Sequence, residues 1–170
     1  MRKLLVLLAV SAMVGFAGSA MADTANTGTL TVTAQVPDEC LVGTSSLAFG
    51  QYSYINGNGS TDLSGTGSIT AKCTINSVPA IRLGASPNED PYTNQRQMMK
   101  ISDSDLLAYN LYLDSSRQTI WLSTQTAFGI YELRGNGISE LSVPLYGTIP
   151  QGQNKPGGYY TDSVPILVIW

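Results

Sequence analysis

The feature that most constrains this chain is a two-residue rhythm that recurs in short bursts and never becomes helical. The first burst is Thr29 to Val36, within "GTLTVTAQVPDEC", where Leu30, Val32, Ala34 and Val36 share one face and Thr29, Thr31, Thr33 and Gln35 the other. Such alternation marks a half-buried strand, because successive side chains on a strand point to opposite faces. Further bursts predict strands near 40–49, 66–75, 79–84, 96–101, 105–113, 119–123, 138–148 and 159–169. The clearest is "LLAYNLYLD", with Leu107, Tyr109, Leu111 and Leu113 on one face. "INGNGSTDLSGTG" from Ile55, "ASPNEDPYTN" from Ala85 and "PQGQNKPGG" from Pro150 predict surface connections, and "RGNG" at 134–137 predicts a hairpin turn. "QMMKISDSDLL" predicts strand, turn and strand, with "DSD" at 103–105 in the turn rather than in a calcium loop. The expected fold is all-β, a sandwich or barrel of one domain.

The N-terminus sets the expected compartment. Arg2 and Lys3 precede an apolar run from Leu4 to Phe16, and Ala20 and Ala22 occupy the −3 and −1 positions of an A-x-A cleavage site. Residues 1–22 are therefore expected to be a secretory signal peptide; the apolar run is too short to span a bilayer. Removing them leaves 148 residues, with seven basic against twelve acidic residues and a net charge of −5. So few and scattered cations argue against a nucleic-acid or anionic-membrane partner. Cys40 and Cys73 are the two cysteines, and in an exported chain they are expected to form one disulfide.

Catalytic and metal chemistry find little support. The chain has no histidine, which removes Ser-His-Asp and Cys-His arrangements and every histidine-based metal site. Asp103, Asp105, Asp114, Glu132 and Glu140 sit at turns or on polar strand faces rather than as a pair across a cleft. No enzyme activity, cofactor or metal is expected. The nine tyrosines leave open a carbohydrate-binding surface, although Tyr109, Tyr112 and Trp121 fall in strand patterns that suit core packing.

The strand at 29–36 stands ahead of the body of the domain, and its pattern fits equally a first strand of its own sheet or one lent elsewhere. Two passages bear on this. One is "LLAYNLYLDSSRQTIW", with Tyr109, Leu111, Tyr112, Asp114 and Trp121. The other is "VPLYGTIPQGQNKPGGYYTDSVPILVIW", with Gly158, Tyr160, Asp162, Ser163, Val164 and Trp170. Together with Cys40 and Cys73 they make the chain resemble the spore coat protein U domain, the subunit family of archaic chaperone–usher pili. Two departures are Pro165, which interrupts the last strand, and residues 122–137, which follow the pattern loosely.

The resemblance implies an incomplete immunoglobulin-like sandwich that lacks its last strand and is completed by donor-strand exchange. It divides the chain into a signal peptide (1–22), a donor extension (23–37) and a pilin-like domain (38–170). Leu30, Val32, Ala34 and Val36 would fill a neighbouring subunit's groove. The C-terminal strand, with Val164, Ile166, Val168 and Trp170 alternating, would be the chaperone-pairing edge. The chain ends straight after that strand, which agrees with a missing partner strand. The partners implied are identical or related pilin subunits, a periplasmic chaperone and an outer-membrane usher. A secreted coat protein and a monomeric carbohydrate-binding module stay as other readings. Pro165 is expected to turn its nitrogen to an unpaired or wet position.

Overall fold

The computed structural model describes residues 27–43, 46–124 and 131–169, with the backbone alone described at Tyr131. The expected signal peptide and Trp170 lie outside the described residues. The chain separates into two units, 1–35 and 36–170. Residues 27–39 belong to no strand, and each is exposed.

The second unit is an all-β sandwich of nine strands among the described residues: β1 (Cys40–Gly43), β2 (Leu63–Cys73), β3 (Ala80–Leu83), β4 (Arg96–Lys100), β5 (Leu106–Tyr112), β6 (Tyr131–Glu132), β7 (Leu141–Ile149), β8 (Tyr160–Thr161) and β9 (Ile166–Ile169). One sheet has the order β1-β2-β7-β5-β4-β8, the other β6-β3-β9, and all pairings are antiparallel. The core lies between them, with Trp121, Ile81, Val143 and Ile69 almost wholly buried. In β5 the expected face is the core face: Leu107, Tyr109 and Leu111 are buried and Leu113 packs against them. Cys40 and Cys73 form the expected disulfide and face each other at the end of edge strand β1.

Several elements depart from the sequence expectation, each for a physical reason. The strand expected over 40–49 leaves the ladder at Gly43, and residues 46–52 belong to no strand. Conversely, β2 starts at Leu63, inside the glycine-rich stretch read as a loop. Gly65 and Gly67 are there because Leu47 and Phe49 lie on them: a Cβ at Gly65 would sit 3.0 Å from the Phe49 ring, and one at Gly67 3.3 Å from the Leu47 Cβ. The strand expected over 119–123 is a single bridge, Tyr112 to Ile120, yet Trp121 is fully buried beyond it. Residues 134–137 are not a hairpin turn. Leu133 N donates to Pro79 O at 2.9 Å, Gly135 N to Ser77 O at 3.0 Å and Gly137 N to Cys73 O at 3.0 Å. This stretch runs beside 73–79 and carries the chain from the small sheet to β7 in the large one.

The strand expected over 159–169 breaks at 162–165, so β8 joins the large sheet and β9 the small one. "QMMKISDSDLL" is the expected hairpin, with Asp105 N donating to Asp103 Oδ1 at 3.0 Å in its turn.

Candidate functional site: a trough between two unpaired segments

Residues 46–52 belong to no strand, and Gly50 within them has a φ of 79°. Leu47 and Phe49 turn inward while Ser46, Ala48 and Gly50 are exposed, so the segment has a strand's facing pattern without a ladder. Its inward side chains rest on a floor of glycine. Gly147 of β7 lies opposite Gly65 of β2 and Leu111 of β5, and a Cβ there would meet Phe49 at 2.7 Å. Phe49 also stands edge-on to Tyr109, ring centroids 6.1 Å apart.

Between this segment and the last part of the chain runs an apolar trough. One cavity of about 610 Å³ is bounded by Leu47 and Phe49 on one side and by Thr161 to Ile166 on the other, above Ile69, Leu111 and Leu145. A second, of about 790 Å³, shares Leu47, Phe49, Met98 and Tyr160 with the first and extends it past Tyr52 toward Lys155–Tyr159. Hydrophobic side chains thus line both cavities, which share a wall between residues 46–52 and the last part of the chain.

The register of β9 decides which backbone groups face that opening. Gly84 N donates to Pro165 O at 2.8 Å, and the two residues are opposite each other, continuing Leu83 to Ile166. In an antiparallel ladder, pairs that bond each other alternate with pairs that do not. Leu167 and Ile169 therefore bond β3, whereas Ile166 and Val168 turn their N–H and C=O groups away from it. Among the described strands β9 has no neighbour on that side. Pro165 lies in a bonded position and its nitrogen faces Gly84, rather than the unpaired or wet position expected. Its loss is from the β3 side, and the open side keeps its donors.

Side chains follow the same logic. Val164, Ile166 and Val168 are half-buried, while Leu167 is 46 % exposed. Among the polar groups of the trough, the Tyr109 hydroxyl donates to Asp162 Oδ2 at 2.6 Å. Burial first, and then this bond to the carboxylate, hold the Tyr109 hydroxyl above the ordinary tyrosine range, so it remains a donor. Tyr109 and Asp162 belong to the two separate passages that carried the resemblance, and the fold brings them together. Leu30 is 87 %, Val32 82 % and Val36 84 % exposed, an apolar row facing solvent. Among the described residues no group of three or more acidic or cysteine side chains could hold a metal.

Residues 26–166 match the family model described as Spore Coat Protein U domain. The chain belongs to the spore coat protein U domain family. It is 36% identical over 148 residues to Protein U of Myxococcus xanthus, covering 81% of each chain. Among solved structures it is similar to a chain in the crystal structure of the CsuC–CsuE chaperone–tip adhesion subunit pre-assembly complex from the archaic chaperone–usher Csu pili of Acinetobacter baumannii. That match has 19% identity and a TM-score of 0.50, and covers 79% of this chain and 40% of that one. A chain of a chaperone–tip adhesin complex of CFA/I fimbriae biogenesis matches at 19% identity, TM-score 0.41, over 73% of this chain and 40% of its own length. The chain thus spans 40% of the solved chains it matches. The Csu likeness carries the fold, an immunoglobulin-like sandwich. No helix among the described residues is long and apolar enough to cross a membrane.

Proposed function

We propose that this protein is a secreted structural subunit of an archaic chaperone–usher pilus, polymerising head to tail by donor-strand exchange. The carrying observation is the pairing of opposites within one chain. The second unit has an apolar trough beside a strand edge with open N–H and C=O groups, and residues 29–36 form an alternating apolar row with no ladder of their own. Strand addition matches the two: main-chain bonds give affinity, and alternate side chains fill the trough. Eight residues reach about 27 Å when extended. Burying Leu30, Val32 and Val36 at about 1.5 to 3 kcal/mol each contributes roughly 5 to 10 kcal/mol before ordering costs.

Residues 1–22 act as the signal peptide, 23–37 as the donor extension and 38–170 as the acceptor domain. An unfilled trough is an aggregation hazard, so the subunit needs a periplasmic chaperone that lends a strand to the β9 edge at Val164, Ile166, Val168 and Trp170, and an outer-membrane usher for assembly. Identical or related subunits then replace the chaperone, and because the contact is heterologous it propagates as a filament. The product is a surface fimbrium that supports attachment or biofilm formation.

Surface-sheared material run on a denaturing gel, with and without boiling, tests this. A ladder of multiples that collapses to one band on boiling is expected. A single monomer band in both lanes refutes self-polymerisation.

A further inference from the structure

A buried ion pair stands behind the trough. Arg96 opens β4 opposite Tyr109 of β5, and its guanidinium lies 3.3 Å from Glu89, the two side chains 3% and 6% exposed. Two charges taken out of water need further partners to persist. The Ser123 hydroxyl donates to the Glu89 carboxylate. Arg96 Nη1 donates to Gly84 O at 2.9 Å, and Nη2 approaches Trp121 O at 3.5 Å.

Gly84 is the telling acceptor. Its N–H bonds Pro165 O, so any other residue at 165 would return an N–H to Gly84 O. Proline has none to return, and the arginine occupies that carbonyl instead.

We propose that Arg96 is a positioning residue for the trough: its guanidinium, neutralised by Glu89, stands in for the N–H that Pro165 lacks and keeps β9 seated on β3, with the main chain of Ile166 and Val168 turned to the open side. This rests on the reading of the trough as a strand acceptor. The crossing 162–165, where the chain leaves β8 for β9, has one member of a single cross-strand pair near each end. Tyr109 takes Asp162 at its start, and Arg96 takes the carbonyl opposite Pro165 at its end. A wall so fixed presents its edge before any strand arrives, which lowers the ordering cost of docking.

The test is a double-mutant cycle on the full chain, read by urea unfolding. Arg96→Met and Glu89→Gln are made together, with Pro165 present and in the Pro165→Ala chain, so that neither a buried guanidinium nor a buried carboxylate is left unpaired. Arg96→Met should lower the folding constant roughly tenfold more with Pro165 present, because only there is the Gly84 carbonyl left without a donor. Equal losses in the two chains overturn the proposal. Should Arg96→Met fail to fold, Arg96→Leu, which also carries no donor, enters the same cycle; Pro165→Ala should again soften its effect, and equal losses again overturn the proposal.

Amide exchange supplies the second readout. Arg96→Met should speed exchange at Leu167 and Ile169, and Pro165→Ala should restore it. A synthetic peptide of residues 27–37 should slow exchange at Ile166 and Val168 in the unaltered chain. If the coupling holds but the peptide protects neither amide, the strand-acceptor reading falls, and the positioning role with it. If the peptide protects them but the coupling is absent, this inference alone falls.

Discussion

Val32→Asp separates the stability of the subunit from the stability of the filament. Val32 is 82 % exposed in the chain, so a carboxylate there meets water and should change unfolding by no more than about 0.5 kcal/mol. Docked in a neighbour's trough, the same side chain would be buried among groups such as Leu111 and Leu145. The variant then forfeits about 1.5 kcal/mol of valine burial. It also withdraws a carboxylate from water in the cavity over Leu111 and Leu145, whose lining holds no cation, which adds at least about 3 kcal/mol. The sum, about 4 to 5 kcal/mol, corresponds to a dissociation constant raised by about three orders of magnitude.

The assay is the unboiled gel, together with the half-time of polymer dissociation in increasing denaturant. The matched control is Thr31→Asp, whose side chain lies on the opposite face of the alternating row. Val32→Asp should abolish the ladder while the chaperone complex, which leaves residue 32 undocked, still forms. Thr31→Asp should leave the ladder nearly intact. Polymer of unaltered stability in Val32→Asp, or equal loss in both variants, would refute the assignment of Leu30, Val32, Ala34 and Val36 as the docking face.

Four other perturbations bear on the fold that presents the trough. Joint replacement of Cys40 and Cys73 by alanine opens a cross-link between residues 33 apart and should lower stability by about 3.5 to 4 kcal/mol in urea titration. Gly147→Val places its Cβ 2.7 Å from the Phe49 ring; the ring must swing away, and we expect a loss of about 1 to 3 kcal/mol with slower polymer assembly. Asp114, held well below the usual carboxylate range first by the Ser116 hydroxyl and then by the Gln118 and Thr119 amides, binds fewer protons folded than unfolded near pH 4. Its contribution is therefore present above about pH 4 and lost on further acidification, so Asp114→Asn should flatten the acid limb of an unfolding-versus-pH curve. Tyr109 has the reverse sign: the raised hydroxyl keeps its proton when folded, so stability holds below about pH 10 and falls above it, and Tyr109→Phe should remove that alkaline dependence.

What the sequence discloses here follows from what a two-residue period encodes. It encodes a face, and so Leu107, Tyr109 and Leu111 were legible as core, and Val164, Ile166 and Val168 as one side of the last strand. Glycine misleads because its lack of a side chain has two uses. At Gly65 and Gly67 it reads as a turn signal, yet it makes a floor for Leu47 and Phe49, residues about eighteen positions away whose approach no local pattern announces. Trp121 reads as strand but is buried from a stretch with a single bridge, since packing against the core needs no ladder. The tie of Arg96 to Gly84 depends on the register of two sheets at once and leaves no periodic trace.

The open edge of β9 shows the limit most sharply. Inward and outward side chains along Ile166–Ile169 would alternate identically whether that edge were paired or bare, because hydrogen-bonding groups lie in the sheet plane and side chains stand across it. Pro165 is the residue that breaks this silence. A proline marks a missing donor, and the bond from Gly84 N to Pro165 O fixes on which side the donor is missing. Since that side belongs to β3, the opposite side at Ile166 and Val168 keeps a full set of donors and acceptors. On the proposed strand-acceptor reading, an incoming strand would find an intact edge beside the apolar floor it would cover, and Val32→Asp and the Ile166 and Val168 amides examine the two halves of that one contact.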